Sequence, residues 1–249
     1  MPNRAPADGS GLEKQYLDQL RRLSPEVLPV AEDCIRLFEN AYSRRPETVC
    51  TLRSPVLMER MTFYLDRSML YSNLYERWTT LNNGESAHTL FNRESAINVF
   101  GPLLLQELEG PLKTILGITR FLIGVDVGED SKWPGSLIRD PSTGQQHTFG
   151  HLFSEIRKRA GRYPGLSETM EAFEGTDEKL DFEILRNALG HSDYWLVSEP
   201  RRLRVHLEAG ENSQVMEADE FLSLFTGVQD LLLGLQIAVL VVMHRLGKR

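Results

Sequence analysis

Apolar residues along this chain recur mostly at three- and four-residue spacing, the pattern of helices that bury one face. Val27, Val30, Ala31, Cys34, Ile35, Phe38, Ala41 and Tyr42 trace one such stripe, and Ser24-Pro25 ahead of it supplies an N-cap and a first helical residue. Leu12 to Leu23 carries a shorter amphipathic pattern. Ser54-Pro55 repeats the start signal and opens a helix to about Leu81, stopped by Asn82-Asn83-Gly84. Tyr71, Tyr75 and Trp78 follow i, i+4, i+7 spacing on it. Such a stripe is more often packing than a base-stacking platform, and both readings stay open. Asn92 is placed to cap a further helix with Ile97, Phe100, Leu104, Leu105 and Leu108 inward. Pro102 should kink or divide that helix, and Gly110-Pro111 is a second break before Leu112, Ile115, Leu116, Thr119 and Leu122 resume the period.

Asp126 to His147 is the longest irregular region. Thr148 then caps a helix through Arg162, with Phe149, Leu152, Phe153 and Ile156 on one side. Arg157, Lys158, Arg159 and Arg162 form a basic run at its end, which reads either as cations complementing a helix C-terminus or as a patch that tracks RNA phosphates. Leu166 to Glu174 is a short helical piece. Phe182, Leu185, Ala188 and Leu189 continue the helical spacing behind Asp177 as N-cap, with Gly190 as the residue that lets the chain leave the helix. The period then changes to two. Tyr194 to Val197, Leu203 to Leu207 and Val215-Met216 read as short strands, turning at Glu199-Pro200 and Gly210-Glu211-Asn212. Glu217 to Leu246 closes the chain as a helix whose apolar stripe is wide enough for a core and a subunit contact together. The expected fold is mainly α, a helical bundle with a small β-hairpin insertion before the C-terminal helix. Residues 1–11 read as disordered, 12–90 as an N-terminal helical region and 91–249 as the main helical domain.

Charge and composition narrow the function. A formal net charge of −7 argues against a general nucleic-acid coat, although a local basic site needs only a few Arg residues. Cys34 and Cys50 are the two cysteines and lack metal-ligand spacing, which points to a reducing, cytoplasmic compartment. The apolar run Leu231 to Met243 is interrupted by Gln236 and falls short of the ~20 residues of a membrane span, so a buried helix and no membrane partner are expected. His147 and His151 stand four apart without a third ligand nearby, so no metal is expected. No phosphate-binding loop, dinucleotide fingerprint or Gly-x-Ser-x-Gly elbow is present, and no cofactor is called for.

The stretch that carries chemistry is Arg186-Asn187-Ala188-Leu189-Gly190-His191, near the end of a helix and followed by the hairpin and the closing helix. An Arg and a His at that spacing arise by chance in roughly one chain in four of this length, and requiring Asn after the Arg lowers this to about one in a hundred. Arg201 and His206 share the spacing, but they sit in a strand pattern. Five residues turn a helix by about 140°, so Arg186 and His191 would not share a face. Either His191 lies beyond the helix end, or each residue meets partners from a second subunit. On a bland reading Arg186 pairs with Glu183 or Asp193, and His191 and Asn187 only cap the helix.

This order of motif, hairpin and helix resembles the HEPN superfamily, whose signature is Arg, four to six residues, then His, often with Asn after the Arg. The resemblance covers the chain from about Asn92 onward. It implies a metal-independent endoribonuclease in a defence, stress or toxin–antitoxin setting, with a composite site of Arg186, Asn187 and His191 at a homodimer interface. His191 would act as base or acid, Arg186 would bind the phosphate, and Asn187 would hold a His tautomer or a phosphate oxygen. The alternative is a catalytically silent module that binds a nucleotide, RNA or a protein partner such as an antitoxin. In the toxins paired with a nucleotidyltransferase a Tyr stands two residues after the His. Here Asp193 holds that place and Tyr194 follows, which puts regulation through that Tyr in doubt. The N-terminal helices either extend the bundle or form a separate layer.

Overall fold

A computed structural model describes residues 9–22, 27–82, 89–129, 149–174, 182–199 and 202–247. The chain is mainly helical, with a small antiparallel sheet just before the C-terminal helix, as the periodicity requires. The N-terminal half contains α1 (Gly9–Leu20), α2 (Leu28–Arg44), α3 (Pro46–Cys50), α4 (Pro55–Asn82), α5 (Thr89–Glu107) and α6 (Lys113–Asp126). The second half contains α7 (Phe149–Arg159), α8 (Pro164–Glu174), α9 (Phe182–His191), strands β1 (Tyr194–Glu199), β2 (Arg202–Ala209) and β3 (Asn212–Glu217), and α10 (Ala218–Gly247).

Helix α10 is the axis of the fold. It packs on α1, α2, α4 and α5, and its Phe221, Phe225, Leu232, Leu235 and Val241 are buried. The N-terminal helices therefore extend the bundle and share its core. By composition α10 is long and apolar enough to cross a membrane, with 78% of its apolar window buried inside the bundle. Its start is fixed by half of a capping box, in which the Glu220 carboxylate accepts the Glu217 N–H at 3.0 Å. The Tyr71, Tyr75 and Trp78 stripe of α4 is packing: Tyr71 is buried, and Tyr75, Trp78, Phe100 and Phe225 form one cluster with ring centroids 4.9–6.0 Å apart.

Several local expectations change. Asn92 lies inside α5, which starts at Thr89 and runs through Pro102 without ending. Gly110-Pro111 does not break the chain either, because residues Leu108–Leu112 form a π-helical turn joining α5 to α6. One wide turn accommodates the proline that a regular ladder would reject. Helix α7 stops at Arg159 and tightens into a 3₁₀ turn to Arg162. The proposed caps Ser24, Thr148 and Asp177, and most of the irregular region, lie outside the described residues.

The amino end of α8 is capped from another helix. The Asp33 carboxylate on α2 accepts the N–H groups of Gly165 and Leu166 at 2.8 and 3.2 Å. Position 165 tolerates only glycine at this approach, since a Cβ would stand 2.8 Å from the Pro29 carbonyl carbon. The sheet has strand order β1-β2-β3, with Trp195 level with His206 and His206 level with Val215. Leu203, Val205 and Leu207 of β2 face inward, under α9 and α5. Gly210 turns β2 into β3 at φ +64°, as a two-residue hairpin loop requires.

Candidate functional site

Helix α9 continues to His191, so that residue does not lie beyond the helix end. The chain leaves the helix at Ser192 rather than Gly190. Ser192 adopts the left-handed conformation (φ +60°), the Asp193 N–H reaches the Ala188 carbonyl at 2.8 Å, and the Ser192 N–H reaches the Leu189 carbonyl at 3.4 Å. Those two bonds make a Schellman turn, a fold-back that a serine tolerates because the turn satisfies the last carbonyls. The Asp193 carbonyl then accepts the Glu208 N–H at 2.9 Å, which ties the motif to β2.

Arg186 does not pair with Asp193, and the side chain of Glu183 lies outside the described residues. The Arg186 Nε donates to Glu109 in the π-helical turn, 77 residues away, and its Nη1 donates to the Asn187 Oδ1 at 2.6 Å. Lys113 lies 3.6 Å from the same Glu109 carboxylate. Arg186 and Glu109 are each about one-third exposed, at 34%. The remaining guanidinium N–H groups have no partner among the described residues and face an accessible surface. His191 is exposed and has no hydrogen-bond or ion-pair partner among the described residues. The structure thus brings Arg186 and Asn187 together and leaves His191 on another face of α9. Tyr194 is half-buried, its hydroxyl 3.9 Å from where a Cβ on Gly101 would stand.

The basic run sits elsewhere, on a helix that packs mainly against α6 and α8. Arg159 binds Glu155 and, at 3.0 Å, Glu129, while Lys158 lies 3.7 Å from Glu155 and Arg162 3.7 Å from Asp126. Arg157 also has an interaction of its own. These pairs engage Lys158, Arg159 and Arg162 with carboxylates of the same region of the fold. His151 is exposed on α7, and His147 lies outside the described residues. Burial pushes the Cys34 thiol up to about 12, with the Asp33 charge adding to it, so that thiol is no nucleophile at neutral pH.

The residues that sequence reasoning missed are Glu109 and Lys113. Nothing at that separation pairs them with Arg186, and the π-helical turn that aims Glu109 outward reads from sequence only as a helix break. Two residues earlier, Glu107 points the opposite way. It is fully buried and accepts from Arg67 Nε at 2.9 Å and from Ser68, whose Oγ also accepts from Gln236 Nε2 at 3.1 Å. Burial raises the Glu107 carboxyl above the ordinary range, against the opposing pull of Ser68 and Arg67. Ser72 Oγ and the Gln236 Oε1 are buried on α4 and α10 without partners among the described residues, and the buried Gln229 amide lies close enough to Glu107 to oppose the rise of its carboxyl.

Comparison with protein families, with curated proteins and with solved structures finds no match to this chain.

Proposed function

We propose that the chain is a metal-independent endoribonuclease of HEPN type, acting as a homodimer. One observation carries the reading: Arg186 and Asn187 are hydrogen-bonded side by side at an accessible surface, on the helix that ends in a solvent-open His191. Arg186 would hold the scissile phosphate through its free N–H fork. His191 would exchange a proton with the 2′-hydroxyl or the leaving 5′-oxygen. Because α9 stays helical across the motif, the two groups point about 140° apart, and a single copy does not converge them on one phosphate. A second copy would supply the missing half.

The Glu109 contact favours a second reading, a silent module, because Arg186 already has an anionic partner. The deciding experiment is cleavage of a mixed RNA pool in EDTA by wild type and by His191→Ala, each checked for folding. Cleavage by wild type alone, leaving 2′,3′-cyclic phosphate ends, is expected. Equal cleavage by both removes the motif assignment, and no cleavage by either favours the silent module.

A further inference from the structure

Among the described residues nine large hydrophobic side chains stand exposed, and five are on α4: Val56, Phe63, Met69, Leu70 and Leu74. Four of the five form a stripe. Val56, Phe63 and Leu70 follow at seven-residue intervals and Leu74 lies one turn further on, within about 40° of the helix circumference. Their exposures are 64, 60, 54 and 43%. The stripe lies roughly 130° around α4 from Leu57, Met61 and Ser68 and about 75° from Tyr71, the residues that α4 buries among those described. One helix thus packs on the bundle along one side and presents a second apolar line to solvent.

We propose that this stripe docks a second copy of the chain, α4 against α4, antiparallel about a two-fold axis beside Arg67. The arrangement of charges selects that occupant. Seating Phe63 between the partner's Leu70 and Leu74 brings Glu59 nearly level with the partner's Arg77, on the same flank of the stripe. The two-fold then repeats the pair, so Glu59 and Arg77 each meet an opposite charge. Both are exposed, and neither has a partner among the described residues. A parallel pair would set each charge beside its own copy. Asp66 meets its own copy near the axis and weakens the contact. Arg67 does not, because it is turned inward to Glu107 and to the Gln106 carbonyl at 3.0 Å, with its guanidinium 5.8 Å from the Phe63 ring centre.

From Val56 to Arg77 the stripe runs roughly 30 Å, and a helix-on-helix contact of that length removes on the order of 500 Å² per copy from water. A standard interface removes about 800 Å² per partner, so the dimer is a weak one whose mass depends on concentration. The inference deepens the two-copy reading above but uses none of its chemistry.

The test is sedimentation equilibrium of the full chain from about 5 to 200 µM, without RNA. Wild type should approach twice the monomer mass and Phe63→Glu should remain monomeric. Glu59→Arg and Arg77→Glu should each weaken association roughly tenfold, and the double reversal should restore it. Wild type that stays monomeric throughout, its stripe covered by another segment or another protein, overturns the proposal. So does a dimer indifferent to all these changes. Circular dichroism checks each fold. If Phe63→Glu does not fold, the charge-reversal pair, which touches only surface groups, still decides. The mass is read without cleavage, so loss of the ribonuclease reading leaves this result standing.

Discussion

Two Arg–Glu pairs flank the same π-helical turn and differ in almost everything except chemistry. Arg67–Glu107 points into the bundle, with side-chain exposures of 18 and 0%. Arg186–Glu109 points out, at 34% each. In the first, Ser68 and Gln236 complete a buried network, and the Glu107 carboxylate has no water to fall back on. In the second, water already competes for both partners. An inward pair is structural because breaking it strands a charge in low dielectric. An outward pair can be exchanged for another anion at small cost, and that exchange is what a phosphate-binding Arg must do.

The largest effect should come from the inward pair. Glu107→Ala removes a fully buried carboxylate, leaves the mostly buried Arg67 with only the Gln106 carbonyl, and should destabilise the protein by about 3–5 kcal/mol, read from urea denaturation. A loss below about 1 kcal/mol would erase the contrast with the outward pair. Arg186→Ala should move stability by no more than about 1 kcal/mol while lowering RNA cleavage, on the proposed function, at least roughly a hundredfold. Glu109→Gln sharpens the same point. It keeps the shape and removes the competing charge, so titration with a noncleavable oligonucleotide should show severalfold tighter binding while the melting temperature hardly changes. Weaker binding would make Glu109 a positioning residue for Arg186 instead of a competitor.

The smallest effect concerns Asp230, whose carboxyl is raised by burial and by the nearby Glu76 charge. A raised carboxyl binds its proton more tightly folded than unfolded. Its contribution is therefore fully present below the unfolded pKa and is lost as pH rises through the folded one. Asp230→Asn should raise the melting temperature at pH 7, and the gain should fade as the pH is lowered to about 4, where the unfolded carboxyl is also protonated.

Much of this architecture was legible from spacing alone. The α2 stripe from Val27 to Ala41 is buried as its period demands, and Leu203, Val205 and Leu207 face inward because alternation leaves no other choice. Pro102 read as a kink or a division and Gly110-Pro111 as a break, yet the chain stays helical through both, because a local propensity yields to a core that rewards continuity. Gly190 was the obvious residue for the left-handed position, and Ser192 takes it since the carbonyls that need partners lie two residues later. At the site, the motif named Arg186, Asn187 and His191. The partner of Arg186 comes from a turn 77 residues upstream, through a contact that no local pattern encodes.

The position of α10 at the centre of the bundle also bears on synthesis. Helices α2 and α4 leave the ribosome more than a hundred residues before the helix that covers them. At about 5–20 residues per second, their apolar faces wait on the order of ten seconds for a cover. During that interval the native core is incomplete, and the Gln236–Ser68 hydrogen bond that joins α10 to α4 can form only after α10 has been made.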